Sequence, residues 1–100
     1  MDYESKMSNI AFGGNWSEEL VFTRQLQEVL YDLEWAVEHC TERDVNTEAV
    51  QDSLRYVSAQ IEKGPMLVDA FQRAMQIDIP PIRRDRMAKA LDRIRTWAGM

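Results

Sequence analysis

One hundred residues, 45% of them apolar and only four Gly and three Pro, leave room for one hydrophobic core and none for a second, and their globular composition favours a helical chain over a disordered or sheet-rich one. Apolar runs are too short to span a bilayer, and Asp2 and Glu4 stand where a secretory leader would carry bases, so a cytoplasmic protein without a membrane is expected. The formal charge of −5 hides a division: residues 1–52 hold twelve acids against Lys6, Arg24 and Arg43, whereas residues 53–100 hold nine bases against five acids. Such a split means either a polyanion site at one end or two halves that attract each other in the fold, and for a helical bundle the second is expected.

Residues 1–14 show no periodicity and end in Gly13-Gly14, which predicts a flexible N-terminal arm. Asn15 or Ser17 can cap a helix, with Glu18 and Glu19 in its first turn, and the helical pattern then runs to about Arg43. At the helical repeat, Phe22, Leu26, Val29, Leu30, Leu33, Ala36, Val37 and Cys40 fall within an arc of about 120°, the width of a core-facing stripe. Asp44-Val45-Asn46-Thr47 is a turn with cap candidates. Val50, Leu54, Val57 and Ile61 then mark a second helix over about 47–63, which Gly64 is positioned to end in the left-handed conformation. Pro65 suits the first turn of a third helix, whose inner face is Leu67, Val68, Phe71, Ala74 and Met75 and which runs out near Ile77. Pro80 and Pro81 predict an extended corner, after which Met87, Ala90, Leu91, Ile94, Trp97 and Ala98 share one face of a last helix ending at Gly99. The expected fold is all-α: about four helices in an antiparallel bundle or hairpin pair, forming a single domain over 15–100.

The inventory of reactive groups is thin. His39 is the only histidine and Cys40 the only cysteine, which excludes a two-histidine zinc site, a multi-cysteine site and an intrachain disulfide. As neighbours on a helix, His39 and Cys40 point about 100° apart and cannot act as base and nucleophile together. Gly13-Gly14 lacks the downstream lysine or third glycine of a phosphate loop. Glu28, Asp32, Glu34 and Glu38 fall on the polar side of the first helix and read as a solvated face. Neither a metal nor a cofactor is expected, and no catalytic residue is assigned.

Asp52-Ser53-Leu54 resembles the tripeptide at which acyl carrier proteins attach phosphopantetheine. In those carriers the serine begins a helix after a glycine-containing loop, whereas Ser53 falls inside a pattern that starts near Thr47, so the resemblance implies nothing further. Trp97-Ala98-Gly99 resembles the Trp-x-Gly of small secreted helical hairpins but stands at the chain end rather than in a central turn. A helix-turn-helix reading of Arg83 onward fails on the Ile79-Pro80-Pro81 turn.

Two surfaces lie outside the core pattern. On the back of the first helix, Leu20, Arg24, Tyr31, Trp35 and His39 recur at roughly four-residue spacing, opposite the apolar stripe. This row is either a second internal packing face or a contact surface for a protein partner or a second copy. On the last helix, Arg86, Lys89 and Arg93 flank the apolar stripe, with Arg84 and Arg95 on its other side and Asp85 and Asp92 among them. They form a solvated or internally paired face or, alternatively, a site for nucleic acid or a small anion. The expectation is a non-enzymatic protein–protein interaction module, a bacterial or phage regulator, adaptor or inhibitor that pairs as a homodimer and binds a larger protein. Nucleic-acid binding through the last helix is the alternative, against which an acidic pI near 4.8 counts.

Overall fold

The computed structural model describes residues 14–99, with side chains over 23–99. These residues fold as four helices, α1 (Gly14–His39), α2 (Glu48–Gln60), α3 (Gly64–Met75) and α4 (Pro80–Ala98). Each packs on its neighbour in sequence, and α4 closes back on α1. Cross-contacts give the directions. The end of α1, the start of α2 and the end of α3 meet, where Gln51 of α2 touches Gln72 of α3, while Asp32 of α1 meets Ser53 of α2. Glu34 meets Arg95 near the end of α4 and Cys40, just past α1, meets Arg83 near its start, so α1 runs antiparallel to both α2 and α4 and α2 antiparallel to α3. The chain is therefore all-α, a bundle of consecutive antiparallel helices. The arm expected over 1–14 lies outside the described residues except for Gly14, which opens α1.

Burial follows the predicted stripes. Leu26, Val29, Leu30, Leu33, Ala36 and Cys40 of α1 meet Val50, Leu54, Val57, Leu67, Phe71, Ala74, Met87, Leu91 and Ile94 in one core cluster. The Phe22 side chain is outside the described ones, and Val37 is half-buried. Trp97, assigned to the inner face by periodicity, is a correction: it is 43% exposed, while Ala98 packs against the core beside it.

The ends of the helices differ from the sequence reading in instructive ways. Because α1 begins at Gly14, Asn15 and Ser17 are within it and no acid stands in its first turn. It also ends four residues early, in a turn where the N–H groups of Glu42 and Arg43 both donate to the His39 carbonyl. Thr47 caps α2 as expected, its hydroxyl accepting from the Val50 N–H at 3.2 Å. At the other end of α2 the left-handed residue is Lys63 (φ 66°), not Gly64. Gly64 is required for a different reason: a Cβ there would stand 2.2 Å from the Val57 carbonyl oxygen, because α3 starts in contact with the last turns of α2. Pro65 lies in the first turn of α3, as predicted. Pro80 and Pro81 do not form the extended corner but open α4, where their missing N–H groups would have no helical partner; the extended residue is Ile79 (φ −89°, ψ 111°).

Arg83 fixes this corner. Its Nε donates to the Ile77 carbonyl at 2.7 Å, Nη1 to the Cys40 carbonyl at 2.7 Å and Nη2 to the Asp78 carbonyl at 3.3 Å. One guanidinium thus satisfies carbonyls just beyond the ends of α1 and α3, where helix dipoles favour a cation.

Candidate functional site

Three features offer themselves as a site: a polar cleft, the back of α1 and the outer side of α4. The cleft, of about 660 Å³, lies where the end of α1, the start of α2 and the end of α3 meet; Arg43, Asn46, Gln51, Gln72, Gln76 and Arg83 supply most of its polar lining. Its polar groups largely satisfy one another. Gln72 Nε2 donates to Gln51 Oε1 at 3.3 Å, Gln51 Nε2 donates to Asn46 Oδ1 at 2.6 Å, and Arg83 is held by three carbonyls. Cys40 lies at its floor, 1% exposed, with its thiol donating to the Val37 carbonyl at 3.3 Å. Among the described residues, no three His, Cys, Asp or Glu side chains gather as a metal site would require, and no helix is long and apolar enough to cross a membrane.

The row on the back of α1 divides. Tyr31 is 70% exposed and lines a shallow groove with Arg24, Gln27, Glu28 and Asp32. Trp35, one turn on, is half-buried and packs against the core. Its ring stacks obliquely on His39, with centroids 5.3 Å apart and planes 42° apart. His39 is in turn within 3.7 Å of a Glu38 carboxylate oxygen and 3.5 Å of one from Glu42. The Leu20 side chain lies outside the described ones. Arg24 and Tyr31 are exposed, whereas Trp35 belongs in part to the interior.

The cations of α4 do not form one surface. Arg95 pairs with Glu34 across the seam and with Asp92 on its own helix. Arg84 lies along the same seam, in a groove shared with Glu34, Val37 and Glu38. Arg86, Lys89 and Arg93 project from the side of α4 away from α1, where Lys89 pairs with Asp85 at 3.0 Å while Arg86 and Arg93 are exposed and make no ion pair among the described residues. Adding Ile82 and Trp97, 40% and 43% exposed, completes a row at positions 82, 86, 89, 93 and 97, all within an arc of about 80° on the helical repeat. The apolar ends of this row were missed because periodicity had assigned Trp97 to the core and Ile82 to no face.

The polar residues that do structural work were also hidden. Ser53 is 4% exposed and donates to Asp32 Oδ2 at 3.0 Å, tying α2 to α1. Asp32, read as part of a solvated face, is a register pin, and Ser53 lies too deep to carry a prosthetic arm. Tyr56 is half-buried against the core, and burial raises its phenol above the usual value near 10.

Comparison with protein-family models, curated proteins and solved structures returns no match.

Proposed function

We propose that this protein is a non-enzymatic interaction module, a regulator, adaptor or inhibitor of a larger protein in the cytoplasm, and that it acts through helix faces rather than through its cleft. The observation that carries this reading is Tyr31. A tyrosine 70% exposed beside an exposed arginine, on a helix whose opposite side already fills the core, combines two residue types enriched among the anchors of protein interfaces. Trp35, one turn on along the same face, is half-buried against the core and so ties that face to the bundle. The cleft is a poorer candidate, because its amides and Arg83 are engaged with one another and with the backbone.

The test compares wild-type protein with Tyr31→Ala as immobilised bait in an extract of the native host. The reading expects a protein retained by the wild type and lost by Tyr31→Ala, with an unchanged melting temperature. The same retained set on both baits, or none on either, would contradict it.

A further inference from the structure

The division of charge along the sequence survives folding. Among the described residues, Asp52–Arg55, Asp69–Arg73, Asp85–Lys89 and Asp92–Arg95 are ion pairs within single helices, and Glu34–Arg95 alone joins two helices between acidic and basic side chains. Among the described residues, Arg84, Arg86 and Arg93 on α4 and Glu28 on α1 make no ion pair, and Glu38 pairs with His39 and lines the same groove as Arg84. The attraction between halves is therefore mostly not satisfied inside one molecule.

Two rows on the surface carry what is left, and they are complementary. On α1, Glu28, Tyr31, Trp35 and Glu38 follow at spacings of three, four and three, an acid at each end with two aromatics between. On α4, Ile82, Arg86, Lys89, Arg93 and Trp97 place three bases between two exposed apolar side chains. At a rise of about 1.5 Å per residue the acidic row is roughly 15 Å long and the basic trio roughly 10 Å, within reach of the long side chains involved. Arginines set against tyrosine and tryptophan and flanked by carboxylates gain both ring and charge contacts. Arg24, at the N-terminal edge of the acidic row, is its one cation.

We infer that the occupant of the α4 row is a second copy of this chain, which presents the Glu28–Glu38 face of its α1. The row on α4 faces away from α1, so one neighbour cannot engage both rows of the same molecule, and the contact is head-to-tail. The inference rests on the reading of the α1 back as a contact face and names what can cover it.

Sedimentation velocity on the full chain tests it. At about 0.01 M salt, where the screening length is roughly 30 Å, the wild type is expected to exceed its 11.7 kDa monomer mass as concentration rises, and at about 1 M, where that length is roughly 3 Å, to return to it. Arg86→Glu/Arg93→Glu and Glu28→Arg/Glu38→Arg should each be monomeric alone. Mixed, they should associate, because the acidic α1 row kept by the first variant meets the basic α4 row kept by the second. If a charge-reversed pair is poorly folded by circular dichroism, the neutral Arg86→Gln/Arg93→Gln and Glu28→Gln/Glu38→Gln pairs serve in its place, each lowering self-association at least tenfold. A wild type that is monomeric at low salt, variants that self-associate as it does, or a charge-reversed mixture that stays monomeric would each overturn the inference. If self-association is absent but Tyr31→Ala still loses a protein in host extract, the α1 face serves a different partner, and only this inference falls.

Discussion

Arg83 and Arg86 are three residues apart on the same helix and have opposite fates. Arg83 sits where the chain leaves α1 and α3, finds three carbonyls within 3.3 Å and is absorbed by the fold. Arg86, almost one turn on, and Arg93, two turns beyond it, are exposed and make no ion pair among the described residues. Proximity to unsatisfied helix-end carbonyls, not charge or sequence neighbourhood, separates a cation that holds the structure from one available to a partner. The same contrast divides α1, where Trp35 leans on the core and Tyr31, one turn before it, faces water.

The contrast can be broken or sharpened by substitution. The largest expected effect is in the core they share: Leu33 is 0% exposed, so Leu33→Ala should cost about 2–5 kcal/mol by chemical denaturation, and a loss below about 1 kcal/mol would mean that the α1 stripe is not core. Arg83→Ala leaves carbonyls at two helix ends without their charged donor and should cost roughly 1.5–3 kcal/mol, with increased hydrogen exchange confined to residues near 40 and 77–79. On α1, Trp35→Ala should cost roughly 1–3 kcal/mol and Tyr31→Ala less than about 0.5 kcal/mol; equal losses would erase the distinction between them. The smallest effect is in alkaline solution. Because burial raises the Tyr56 phenol, the folded state holds that proton more tightly than the unfolded one, so its contribution is complete below pH 10 and is lost as pH rises through the folded value. Tyr56→Phe should flatten that part of the alkaline decline in a pH series of melts.

Periodicity found the helices and nearly all the core because burial at three- and four-residue spacing is written directly in apolar side chains, as at Leu26, Leu33, Val57 and Ile94. It failed where the deciding contact is long-range. Gly64 looks like a left-handed terminator until the approach of α3 to Val57 is known, and Lys63 takes the left-handed angle instead. Ser53 and Asp32 read as polar surface until α2 lies against α1. Arg83 looked like one more base in a run. The back of α1 was legible as a row, but which members of it face water depends on how α1 sits against its neighbours. The α4 row needed Trp97 to be seen outside the core.

The measurement that bears most directly on this account compares Arg83→Ala with Arg86→Ala/Arg93→Ala, each assayed for stability by denaturation and for low-salt self-association by sedimentation. The predicted result is a crossed pattern: Arg83→Ala loses roughly 1.5–3 kcal/mol but associates as the wild type does wherever it is folded, while the double variant stays within about 0.5 kcal/mol of wild type and sediments as a monomer. A double variant that is destabilised as much as Arg83→Ala, or that associates undiminished, would contradict the assignment of one arginine to the fold and the other two to an interface.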